Sequence, residues 1–98
     1  LADTGVSSLQ SLSGLTSLEE LIVRGNQISD IQPLSTLRKM RTLDLGNNQI
    51  KDISSLKSMS LLSVLYGEDN NLTEASVISA LPNLKEINLV DQRMGSRM

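Results

Sequence analysis

Apolar residues recur along this chain in columns 22 residues apart, and the columns keep phase over four turns of the pattern. Leu15, Leu37, Met59 and Leu81 form one column, Leu18, Met40, Leu62 and Leu84 a second, and Leu21, Leu43, Leu65 and Ile87 a third. Val23, Leu45, Gly67 and Leu89 follow, then Val6, Ile28, Ile50, Leu72 and Met94. Leu9, Ile31, Ile53 and Ala75, with Leu12, Leu34, Leu56 and Ile78, complete the apolar set. One polar column runs in the same register: Asn26, Asn48, Asn70 and Gln92. A fixed period of this length describes coils that bury a common core only by stacking on their neighbours.

Within each unit the pattern changes character halfway. Leu21-Ile22-Val23, Leu43-Asp44-Leu45, Leu65-Tyr66-Gly67 and Ile87-Asn88-Leu89 predict short strands with Leu21, Val23 and their counterparts facing the core. Apolar residues three apart (Ile28, Ile31, Leu34, Leu37) predict a 3₁₀-like return, and Pro33 suits that half because it cannot donate to a sheet ladder. The fold class is therefore α/β: a right-handed solenoid, its parallel sheet on the concave face and 3₁₀ or short helical segments on the convex side. Residues 1–98 form one domain of about four and a half units: 1–14 partial, 15–36, 37–58, 59–80, and 81–98 last and irregular. Neither end reads as the polar cap a solenoid needs, so the chain is expected to be part of a longer protein.

The asparagine column follows from the turn after each strand. Such a turn holds backbone N–H and C=O groups away from water, and they must be paired. A carboxamide both donates and accepts, so Asn26, Asn48 and Asn70 are assigned to a structural ladder joining neighbouring coils. Gly67 leaves its layer without a side chain, which predicts a void or an inward shift of Met59, Leu62 and Leu65. The stretch 73–80 predicts a true helical turn, with Thr73 as N-cap and Glu74 at its positive end.

Composition narrows the function. The balance of 9 Lys+Arg against 11 Asp+Glu, net −2, gives no basic footprint for nucleic acid. No apolar run approaches the ~20 residues of a membrane span, and Leu1-Ala2-Asp3-Thr4-Gly5 has neither the basic start nor the apolar stretch of a secretory leader. With no His and no Cys, the commonest general base, the best thiol nucleophile and the usual zinc ligands are all missing. Glu20, Asp44, Glu68 and Glu86 stand on separate strands of an open face, which gives no desolvation to raise a carboxyl pKa. Glu68-Asp69-Asn70-Asn71 lacks the spacing of a calcium loop, and Asn71-Leu72-Thr73 matches a glycosylation sequon only by pattern. No catalytic residue, metal or cofactor is expected.

The wording of the repeats, Asn26-Gln27-Ile28-Ser29-Asp30-Ile31-Gln32-Pro33-Leu34 and Asn48-Gln49-Ile50-Lys51-Asp52-Ile53, resembles the 22-residue leucine-rich repeats of bacterial internalins. Leucine-rich phosphatase-regulatory subunits share the same repeat length. The resemblance implies a non-catalytic scaffold that receives a protein partner on its concave sheet face, at a bacterial cell surface or secreted. Alternatives are an intracellular subunit that docks an enzyme such as a phosphatase, and a structural spacer or assembly element.

Strand alternation selects the residues of that face. They are Glu20, Ile22 and Arg24; Thr42, Asp44 and Gly46; Val64, Tyr66 and Glu68; Glu86, Asn88 and Val90, with Ala2 extending the Arg24 column. All but Ala2 and Gly46 are expected to touch the partner. Tyr66, the only aromatic residue, is the leading candidate because tyrosine is enriched at binding hot spots; the competing reading lays its ring over Gly67 or Gly46 as cover for a thin layer. Arg24 is expected to pair with Asp44.

Overall fold

The structure is a computed structural model that describes residues 8–73 and 76–90. Four strands, β1 (Glu20–Ile22), β2 (Thr42–Asp44), β3 (Val64–Tyr66) and β4 (Glu86–Asn88), form one parallel sheet in chain order. Register follows the 22-residue period: Leu21 lies opposite Leu43, Leu43 opposite Leu65 and Leu65 opposite Ile87. Each strand begins one residue earlier than predicted, yet the ladder runs on past it, with Val23 N–H to Asp44 C=O and Gly25 N–H to Gly46 C=O both at 3.0 Å.

The return halves are 3₁₀ turns at Gln10–Leu12, Gln32–Thr36, Ser54–Ser58 and Ser76–Ala80. Pro33 sits in the first turn of its segment, where a missing N–H costs nothing. Ser76–Ala80 is the same 3₁₀ turn as its counterparts rather than a true helical turn; Glu74 lies outside the described residues, so the expected cap is not seen. Between sheet and turns lies the core. Val23, Ile28, Leu34, Leu37, Met40, Leu43, Leu56, Met59 and Leu62 are all fully buried, and each such aliphatic side chain contributes roughly 1.5–3 kcal/mol.

The columns lose cover toward both ends of the described stack. Leu15 is 50% exposed and Ile87 42%, although both stand in core columns. Among the described residues β4 is hydrogen-bonded only to β3, so one side of its rung has no neighbouring layer. Val6, Ala75, Gln92 and Met94 lie outside the described residues.

Hydroxyl groups form a second set of links that the sequence reading missed. Thr36 Oγ1 donates to Ser13 C=O and Ser58 Oγ to Ser35 C=O, both at 2.7 Å, each tying a return turn to the one before it. Thr36 and Ser58 are 22 residues apart, and Gly14 and Ala80 interrupt their column, which hid it. Asp30 and Asp52 form another pair in phase; each accepts from the backbone N–H two residues on, in Gln32 and Ser54, and so starts the return turn.

At Gly67 the thin layer keeps a small void, which Leu89 of the next coil approaches. A Cβ built on Gly67 would stand 3.0 Å from Leu89 Cδ2, and Leu45, Ile50, Ile53 and Leu72 complete a small apolar cavity there. Of the residues expected to shift inward, Leu65 lines this space and Met59 and Leu62 do not, while Leu89 of the next coil comes closest. Gly67 does not have the left-handed backbone found at Gly25, so no conformational requirement holds it as glycine. Gly67→Ala is expected to be neutral or to stabilise by up to about 1 kcal/mol, as the end of Leu89 turns aside and the unfolded chain loses freedom. Denaturant melts check this; a loss above about 1 kcal/mol would show that Leu89 cannot move.

Candidate partner-binding face

The turn leaving each strand fixes the outward face. Gly25, Asn47 and Asp69, one per coil, adopt left-handed backbone at φ 74°, 56° and 57°, a conformation that only glycine and short polar residues take readily. The chain then dives inward at the asparagine ladder. Asn26, Asn48 and Asn70 are buried. The Asn48 amide donates to the carbonyls of Val23 (3.1 Å), Leu45 (3.0 Å) and Gly46 (3.1 Å), and its Oδ1 accepts from Ile28 N–H (3.0 Å). Asn70 repeats this one coil on, to Leu45, Gly67 and Glu68, with Ile50 N–H as donor. Asn26 donates to Val23 C=O at 2.7 Å. The ladder is structural, as the turn chemistry required.

Across the outer face, side chains of successive rungs interact. Arg24 reaches over Gly46: its Nε donates to Asp44 Oδ2 at 3.1 Å and its Nη2 to Glu68 Oε2. A Cβ on Gly46 would come within 2.6 Å of the guanidinium, so glycine there is what lets one arginine bridge three coils. The Asn47 amide, turned as its neighbours require, donates to Asp69 Oδ2 and accepts from Arg24 Nη1 at 3.3 Å. Asp44 also accepts from Gly46 N–H, as Asn88 does from Val90 N–H in the same column. The Arg24–Asp44 pair was expected; the reach to Glu68 was not, although Arg24, Gly46 and Glu68 share one column of the repeat. Ala2, of that column, lies outside the described residues.

Burial pushes the Glu68 carboxyl up, but hydrogen bonding from Arg24 and from its own backbone N–H, with the attraction of the guanidinium, outweighs it and leaves the group below its ordinary value. A carboxyl depressed in the folded state stabilises the fold above its unfolded pKa, about 4.3, and loses that contribution as pH falls through the folded value. The melting temperatures of the parent and Glu68→Gln should therefore differ at pH 7 and converge toward pH 3. A constant gap across that range would contradict the pairing.

The side chain that lies closest over Gly46 is Arg24, not Tyr66, and the Cβ position of Gly67 faces Leu89. The Tyr66 hydroxyl donates to Glu86 Oε2 on the next rung, and its ring is half-buried between the Asp44 and Asn88 rungs. Thr42 and Val64 are half-buried beside it, while Glu20, Ile22, Glu86 and Val90 are exposed. Every expected face residue among the described ones is exposed or half-buried here, grouped as an ion-paired cluster toward the strand ends and a Tyr66–Glu86 pair that runs diagonally from the end of β3 to the start of β4.

A model of tandem leucine-rich repeats in two copies matches residues 16–58. An internalin (InlF) from Listeria monocytogenes is 40% identical, with a TM-score of 0.88 over 91% of this chain. The chain is a leucine-rich repeat protein that resembles bacterial internalins. Internalin C2 of the same species is 36% identical, with a TM-score of 0.83 over 85% of the chain. The functional domain of InlJ from that species, which includes a cysteine ladder, shares the fold at 23% identity, a TM-score of 0.83 and 89% coverage. This leucine-rich repeat chain has no cysteine; its turns are held by asparagine. It spans 26% of the InlF chain, 37% of the internalin C2 chain and 19% of the InlJ chain. A search of curated protein sequences gave no match. No helix among the described residues is long and apolar enough to cross a membrane.

Proposed function

We propose that the chain is a recognition module, a non-catalytic scaffold that binds a protein partner on the outer face of its sheet, and that it acts at a bacterial cell surface or as a secreted protein. The carrying observation is the makeup of that face. Ile22 at 44% and Val90 at 58% are large aliphatic side chains left in solvent, with the ring of Tyr66 in register with Ile22 and Val64 two residues earlier on the same strand. Exposed apolar side chains rimmed by charge are the usual makeup of an interface. The likeness to internalins at 36–40% identity supports the surface role. The partner contacts are assigned to Glu20, Ile22, Arg24, Thr42, Asp44, Val64, Tyr66, Glu68, Glu86, Asn88 and Val90.

Four three-residue strands spaced ~4.8 Å apart offer a narrow strip, and a standard interface needs ~800 Å² from each side. The partner's footprint is thus expected to reach beyond these four rungs. A photo-crosslinker at position 22 should join the protein to its partner, and the same group at position 57 on the return side should not. The reverse result places the partner on the return side and removes the face assignment.

A further inference from the structure

Charge is segregated across the described residues. The outward positions of the sheet carry Glu20, Asp44, Glu68 and Glu86 against the single cation Arg24, four carboxylates to one guanidinium. Arg24 is already held by Asp44 and Glu68, and that group retains a net negative charge. Among the described residues, the exposed cations Lys51 and Lys57 lie on the return side, Arg38 and Lys39 in the turn leading into β2, and Lys85 just ahead of β4, while Arg41 pairs with Glu19 at 3.5 Å ahead of β2. The near-neutral balance of the whole chain therefore hides a negative strip.

Tyr66 is at the middle of this strip. Its hydroxyl is bound to Glu86, and its pKa is pushed up by that hydrogen bond first, then by burial and by the charges of Glu86, Asp44 and Glu68. A half-buried ring flanked by carboxylates attracts a cation through both the ring quadrupole and the flanking charges. Ile22, two rungs along the same column, and Val64, two residues earlier on the same strand, offer apolar surface to the methylene stem of a lysine or arginine. A polyanion or an acidic lipid surface would be repelled from the same place.

Resting on the reading of the sheet face as the binding surface, we infer that the partner is a protein segment bearing lysine or arginine, one cationic side chain of which lies over Tyr66 between Asp44 and Glu86. Opposite charge on the two surfaces sets the orientation and speeds the encounter.

The test uses methyl-labelled protein titrated with deca-lysine, with deca-glutamate, and with a neutral Gly-Ser peptide of equal length. Deca-lysine should shift the methyl signals of Ile22 and Val64, and its binding should weaken by about tenfold when salt screens the surface charges. Glu20→Gln/Glu86→Gln should abolish those shifts, whereas Asp30→Asn/Asp52→Asn on the return side should retain them. Shifts that survive Glu20→Gln/Glu86→Gln, that appear equally with the neutral peptide, or that concentrate at Val77 and Ile78 overturn the proposal. Absence of deca-lysine shifts while a crosslinker at position 22 still captures the partner overturns the cationic partner and leaves the binding face standing. Failure of both removes the face as well.

Discussion

Asn48→Ala is expected to lower the unfolding free energy by about 1–3 kcal/mol, the range for leaving buried backbone groups unpaired. Asn48 is 1% exposed, so water does not take over its bonds. Its loss would strip a donor from the carbonyls of Val23, Leu45 and Gly46 and an acceptor from Ile28 N–H. Val23 and Ile28 belong to the preceding coil, and the substitution therefore weakens the contact between repeats as well as one turn; that contact is what makes a solenoid cooperative. Gln49→Ala, one residue on and exposed, should change stability by less than about 0.5 kcal/mol. In urea melts the Asn48→Ala midpoint should fall with little change in slope. A difference inside experimental error would mean that the turn is satisfied without the carboxamide.

Tyr66→Ala is expected to weaken partner binding by about tenfold or more, since truncating a central aromatic anchor commonly costs ~2 kcal/mol. The ring lies on the rung between Asp44 and Asn88, outside the aliphatic layers, and its one hydrogen bond goes to an exposed carboxylate. The fold should therefore tolerate the loss, with a melting temperature near that of the parent. Lys57→Ala and Ser35→Ala, on the return side, should bind as the parent does. Titration of the purified variants against the partner gives the comparison. A silent Tyr66→Ala beside a return-side variant that no longer binds would move the interface off the sheet.

The solenoid, the strand register and the asparagine ladder were legible because each rests on one residue type repeated every 22 positions under the same physical demand. The return segment at 76–80 was misjudged as helix from its local sequence, when the repeat geometry imposes the same 3₁₀ turn as at Gln32–Thr36 and Ser54–Ser58. Side chains that fill gaps across coils were harder to read. Leu89 closing over Gly67 and Arg24 crossing Gly46 to Glu68 depend on what the adjacent coil lacks, a relation visible only when columns are read sideways. The hydroxyl links of Thr36 and Ser58 were lost among other serines because half of their column is occupied by Gly14 and Ala80. The outward positions follow from strand alternation alone, but the pairing of Tyr66 with Glu86 requires a diagonal reach that the pattern does not specify.

The binding face is tested most directly by cross-saturation on the complex, with the partner irradiated and the methyl groups of this chain observed. Ile22, Val64 and Val90 should lose intensity, while Val77 and Ile78 on the return side keep theirs. Loss confined to Val77 and Ile78, with Ile22, Val64 and Val90 unaffected, would contradict the assignment of the partner to the outer face of the sheet.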